Sequence, residues 1–333
     1  MASYKSYSNF RKKSLEFTPF AVKNSESEQE AILTPLTDIE SDTIDRIEKQ
    51  FELYLNEPPE YFDTIPDLID MILTYPNVCF QYILPVHIEK TISLNENENA
   101  IFLLDVILSL YSPISHSDIY FELSESLYDG IAHFFADKAI NENIMHLKNI
   151  IFNSVYDEKT RDLFFNSQSM KEIKNHIENY EDDQDELLMI SLKIIKALIQ
   201  IRPIPNKFDV FISHFLVIST FNNKESILAI KILTEISKYS SINISKYISV
   251  YGGIETTYIE ELVSFIQKNY QIKKRIASFQ FLSALSKYGD SMLQMMIDKY
   301  ALFNAKESLN DKKDEIIIEA LDFFLNWTVN AKE

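Results

Sequence analysis

Residues 224–240 read KESILAIKILTEISKYS, and residues 273–289 read KKRIASFQFLSALSKYG. Both stretches are apolar on most sides, which marks helices covered by neighbours on more than one flank. They also close alike, as Ile236-Ser237-Lys238-Tyr239-Ser240 and Leu285-Ser286-Lys287-Tyr288-Gly289. Working outward, the pattern recurs with a common core position at Leu110, Val155, Leu198, Ile236, Leu285 and Trp327. The steps are 45, 43, 38, 49 and 42 residues. One such unit cannot bury its own apolar face, so the units must stack.

The remaining sequence agrees with this reading. Ser41 is a candidate N-cap, followed by Ile44, Ile47, Phe51, Tyr54 and Leu55 at helical spacing. Further helices are expected over Pro66 to Tyr75, Glu98 to Tyr111, Asn143 to Val155, Met170 to Tyr180 and Glu186 to Ile201. Asn206 to Ser219, Glu255 to Lys268, Ser291 to Tyr300 and Lys313 to Val329 continue the series. Breakers fall between them, among them Pro58-Pro59, Pro113, Pro203, Pro205 and Gly289. No run alternates as a strand would, so the fold class is all-α. Residues 1–40 are rich in Ser, Glu and Lys without a sustained apolar period. They are expected to form a flexible arm ahead of a helical repeat domain over 41–333.

A helical unit at this period resembles the armadillo and HEAT-type repeat family. The resemblance implies a right-handed superhelical, armadillo-like solenoid of about six irregular repeats. It also implies that partners bind along a concave ridge built from the last helix of each repeat. A compact helical bundle is the architectural alternative.

Composition narrows the function. Of 333 residues, 46% are hydrophobic, and 50 acidic residues against 32 basic ones give a net charge of −18. Duplex nucleic acid and anionic membrane surfaces are poor partners for such a chain. With four glycines, the sequence holds no GxGxxG and no GxxxxGK[ST] phosphate loop. Cys79 is the only cysteine, so no intramolecular disulfide or cysteine-clustered zinc site forms, and Val78-Cys79-Phe80 reads as core. The six histidines give neither HExxH nor an i, i+4 pair, and His133 and His214 lie in apolar runs that predict packed side chains. There is no GxSxG elbow. The expectation is a non-enzymatic protein without a metal or cofactor. The N-terminus has no apolar signal core, and Asp105 interrupts the Ala100 to Tyr111 stretch, well short of the roughly 20 residues of a membrane span. Cytoplasmic localisation is expected, with the nucleus also open.

On the ridge, the few polar positions of the aligned helices become the candidate surface. They are Lys193, Lys196 and Gln200 on the first, then Lys231, Glu235 and Lys238, each set on one helical face. Gln280, Ser283 and Lys287 follow, and Asp322, Asn326 and Asn330 complete the series. The middle is locally basic, which suits an acidic or phosphorylated partner segment; a merely solvated helix face would carry the same lysines. Lys273, Lys274 and Arg275, at a helix N-terminus, form a candidate anion site.

The function expected is a protein–protein interaction scaffold or adaptor. A regulatory subunit of a phosphatase, kinase or small GTPase is the alternative. Arg11-Lys12-Lys13 invites comparison with importin alpha, but that family's repeated Trp with Asn four residues later is missing. Trp327 stands alone, with Asn330 three residues on. Ser14 and Thr18 would make the arm a phosphorylation switch. Leu321, Phe323, Phe324, Leu325 and Trp327 make the last helix more apolar than a solvent-facing cap. It either packs beneath its neighbour or offers a dimer or partner surface.

Overall fold

The computed structural model describes residues 41–56, 65–75, 78–79, 98–110, 125–132, 141–180, 185–250 and 255–331. The expected N-terminal arm, His133 and the Leu110 side chain lie outside the described residues. Those described form helices joined by turns, with no strand among them. In chain order the helices are α1 (Ser41–Asn56), α2 (Ile65–Thr74), α3 (Glu98–Leu110), α4 (Glu125–Gly130), α5 (Asn141–Ser154) and α6 (Glu158–Asn166). Next come α7 (Gln168–Glu178), α8 (Asp185–Gln200), α9 (Ile212–Thr220), α10 (Lys224–Tyr239) and α11 (Ser245–Val250). The last are α12 (Glu255–Phe265), α13 (Ile272–Leu285), α14 (Asp290–Asp298), α15 (Ala301–Ser308) and α16 (Asp314–Asn330).

Local chemistry sets several of these boundaries. Helix α6 opens on a capping box: Asp157 Oδ1 accepts from the Thr160 amide at 2.8 Å, and Thr160 Oγ1 accepts from the Asp157 amide at 3.1 Å. Asn223 caps α10 by accepting from the Ser226 amide at 2.9 Å. After α13 a short 3₁₀ turn (Ser286–Tyr288) ends at Gly289, whose φ of 89° is one that glycine adopts without a Cβ penalty.

Contacts divide the chain into two units, Met1–Tyr111 and Ser112–Glu333. In the first, α1 packs on α2 and α3, and Ile47, Phe51, Ile72 and Leu103 of these helices are fully buried. The second holds the repeat. Helices α5, α8, α10, α13 and α16 each pack on the next in that order. Behind them α7 lies on α8, α9 on α10, α12 on α13 and α15 on α16. The aligned core residues Val155, Leu198, Ile236, Leu285 and Trp327 are all buried, and each sits in or directly after one of these stacked helices. Phe279 of α13 rests on Phe323 of α16 with ring centroids 6.2 Å apart. Burying a side chain of this size stabilises by about 1.5–3 kcal/mol.

Four cations, three of them buried, also tie elements together. Arg161 Nη1 donates to the Ile201 and Pro203 carbonyls at 2.8 and 2.7 Å, and Arg275 Nε donates to the Ile266 carbonyl at 3.0 Å. Lys274 Nζ donates to the Phe221 carbonyl, and Lys287 Nζ to that of Ser237. These carbonyls lie at or just past the C-terminal ends of α8, α12, α9 and α10. Helix ends leave carbonyls without intrahelical partners and carry negative dipole charge, so a cation suits both needs.

This overturns one expectation. Lys274 and Arg275 are 2% and 3% exposed and do not form an anion site. The Lys274 ammonium stands 3.4 Å from the centre of the Phe265 ring, and Arg275 Nη1 lies 2.8 Å from Asp311 Oδ2. Only Lys273 of the three reaches solvent. His214 also differs from its expected place in the core: it is one-third exposed, with Nε2 3.7 Å from Glu178 Oε1.

Candidate functional site

The stack places the polar positions of α8, α10, α13 and α16 on successive neighbouring helices. Lys193, Gln200, Lys238, Lys287 and Asn326 are exposed, while Lys196, Lys231 and Gln280 are half-buried. They separate into two regions of opposite character.

The first is cationic. Lys231 of α10 is held below the ordinary lysine range, first by burial and then by the charges of Lys196 on α8 and Lys273 on α13. Three helices in contact thus bring three ammonium groups within electrostatic reach of one another. None of Lys193, Lys196, Lys231 or Lys273 makes a side-chain hydrogen bond or ion pair with a described residue. Glu235, one turn after Lys231, is taken by Arg202 at 2.6 Å. An arrangement of like charges without a counter-charge is relieved by an anion from outside.

The second is a cavity of about 370 Å³ between α10, α13 and α16. Lys238, Gln280, Ser283, Lys287, Asp322, Asn326 and Asn330 line it, together with Ala284 and Glu319. The first seven were expected on the ridge. Glu319 was not, although it falls one turn before Asp322 on the same helical face. Here the expected basic character fails: two lysines meet two carboxylates, with three carboxamides, Ser283 and Ala284 beside them.

The carboxamides are oriented by their own nitrogens. Gln280 Nε2 donates to Glu319 Oε1 at 2.7 Å, Asn326 Nδ2 to the Asp322 carbonyl at 2.8 Å, and Asn330 Nδ2 to Ser286 Oγ at 2.7 Å. Their oxygens are left as fixed acceptors. Burial pushes the Glu319 carboxyl up, opposed by the Gln280 hydrogen bond and Lys238 and reinforced by Asp322. Partial burial lowers the Lys287 ammonium. The cavity therefore favours a ligand that brings N–H donors.

Other chemistry is sparse. Burial pushes the Cys79 thiol up to about 12, far from a nucleophilic thiolate. Among the described residues no group of three or more His, Cys, Asp and Glu side chains could hold a metal ion. None of the described helices is long and apolar enough to cross a membrane.

Comparison with known proteins gives the fold its context. No family model matches the chain, and no curated protein matches it. Among solved structures, an engineered protein from a structural genomics consortium is similar at a TM-score of 0.55 and 13% identity, over 85% of this chain and 68% of that one. A designed armadillo repeat protein gives 0.46 and 10%, over 85% of this chain and 99% of that one. Another, in complex with the peptide (KR)4, gives 0.47 and 11%, over 85% and 99%. At these identities the likeness concerns fold alone. The first of these likenesses, with the period and the order of packing, supports an all-α fold of stacked helical repeats.

Proposed function

We propose that the protein is an interaction scaffold that binds an extended segment of a partner protein along α8, α10, α13 and α16. The observation that carries this reading is the polarity of the ridge. An unneutralised cluster of Lys196, Lys231 and Lys273 leads, by way of α10 and α13, to an acceptor-rich cavity at Gln280, Asn326 and Asn330. An extended peptide offers what each region lacks. A phosphorylated or acidic side chain neutralises the lysines through charge-assisted hydrogen bonds. Its backbone N–H groups meet the carboxamide oxygens, which are positioned before the ligand arrives. The exposed lysine at Lys193 and the carboxamide of Gln200 extend the same surface on α8.

The test is affinity purification with mass spectrometry, using the full chain beside its K196E/K231E/K273E variant. The reading expects an acidic or phosphorylated partner to disappear from the variant while circular dichroism stays unchanged. Retention of every partner by a folded variant would refute it. A stoichiometric catalytic chain among the retained partners would favour the regulatory subunit of a phosphatase, kinase or small GTPase.

A further inference from the structure

The lysine cluster and the cavity are built on two shared helices. On α10, Lys231 belongs to the cluster and Lys238 to the cavity; on α13 the corresponding residues are Lys273 and Gln280. Within each pair the separation is seven residues, two turns on one helical face and about 10 Å along the axis. Both helices therefore hold the two regions at the same spacing. An extended chain crosses that distance in three or four residues.

The cluster suits phosphate better than carboxylate. Its cations are all lysines, point charges that lack the planar fork with which arginine holds a carboxylate. They converge from three helices, and Lys196 and Lys231 are half-buried, so a single negative charge would leave the site positive. A phosphoryl group carries a charge of about −1.5 to −2 and presents three acceptor oxygens, one for each ammonium. Glu235, one turn from Lys231, is already held by Arg202 at 2.6 Å.

The cavity suits a guanidinium. The amide nitrogens of Gln280, Asn326 and Asn330 already donate within the chain, which leaves three carboxamide oxygens to accept. Asp322 adds a carboxylate that has no ion pair with a described residue, whereas the Lys287 ammonium is engaged by the Ser237 carbonyl. Arginine, with five N–H donors in a planar fork, matches such a set. A nucleic-acid strand fits poorly, because Glu319 and Asp322 would repel its next phosphates.

We infer that the ridge reads a phosphorylated serine or threonine together with an arginine three or four residues away in the same partner segment. The phosphate sits among Lys196, Lys231 and Lys273, and the guanidinium enters the cavity. This inference rests on the peptide reading of the ridge and adds regulation to it: phosphorylation of the partner turns binding on.

Three peptide libraries with random flanks test it, with phosphoserine, glutamate or serine fixed at the centre. Each is captured on the immobilised full chain, and the retained peptides are sequenced and titrated by fluorescence anisotropy. Phosphoserine peptides are expected to bind at least about tenfold more tightly than the same sequences with glutamate. Arginine should be enriched three or four positions from the phosphoserine. K231E/K273E should abolish the preference for phosphoserine. D322N/N326L should erase the arginine enrichment and keep that preference, with circular dichroism unchanged in both variants. Equal affinity for phosphoserine and glutamate would overturn the inference and leave the ridge a site for acidic segments. Retention of none of the libraries would overturn that broader reading too. Arginine enrichment that survives D322N/N326L would contradict the cavity as its seat. A random single-stranded oligonucleotide that binds more tightly than the selected phosphopeptides, and is released by K231E/K273E, would also overturn the inference, because the occupant would then be nucleic acid.

Discussion

Replacing Lys274 by methionine isolates the effect of a cation held inside the stack. Lys274 is 2% exposed, and burial pulls its pKa from 10.5 down to about 8, against a smaller upward effect of Glu261. Below pH 8 the lysine is protonated in both folded and unfolded chains, and the folded state carries the full cost of the buried charge. Between about pH 8 and 10.5 the unfolded chain keeps its proton while the folded chain loses it, so stability rises with pH. Above 10.5 both forms are neutral and the rise ends. The drop in pKa corresponds to about 3 kcal/mol. K274M cannot titrate; it also leaves the Phe221 carbonyl without its donor, a pH-independent loss of about 1–3 kcal/mol. The assay is guanidinium unfolding followed by the fluorescence of Trp327, the only tryptophan, which is buried in the same unit. The unfolding free energy of wild type relative to K274M should climb by about 3 kcal/mol from neutral pH to 10.5. A difference that is flat across that range, or falls, would refute the placement of Lys274 against Phe265 and Phe221.

Two further substitutions probe the packing between units. F279A removes the ring that α13 places against Phe323 and should cost about 3–5 kcal/mol in the same unfolding assay; a loss under 1 kcal/mol would mean that α13 and α16 are not packed there. D311N leaves the buried Arg275 guanidinium without its carboxylate, a loss of about 3–5 kcal/mol. Although burial alone would raise the Asp311 carboxyl, hydrogen bonds from Arg275 and the Lys313 and Lys312 amides hold it below its ordinary 3.8. The stability it contributes is therefore present above pH 3.8 and lost as pH falls through the lower folded value, and that loss should be absent from D311N.

The repeat was legible because its ridge helices are apolar on two flanks. Val155, Leu198, Ile236, Leu285 and Trp327 aligned by sequence alone, and they mark helices that stack in order. Two of the shorter helices, α6 and α15, were not legible. Helix α6 carries a buried Arg161 on its inward face, which breaks the apolar period, while α15 buries only Ala301, Ala305 and Ser308. Lys274 and Arg275 misled for a related reason. Their partners are the carbonyls of Phe221 and Ile266 and the carboxylate of Asp311, brought together by tertiary packing, so local charge pattern could not reveal burial. Seven of the cavity residues are polar positions that the sequence places on one face of each helix. Glu319 was open to the same reasoning, since it precedes Asp322, Asn326 and Asn330 at regular helical spacing.

The central claim is that a partner segment lies along α8, α10, α13 and α16. Site-specific photocrosslinking in living cells tests it most directly, with a benzophenone side chain placed in turn at Ser283, Asn326 and, as a control, the exposed Val217 of α9. The account predicts one partner segment crosslinked from both Ser283 and Asn326, and none of it from Val217. Crosslinks from Val217 alone, with Ser283 and Asn326 silent, would contradict it.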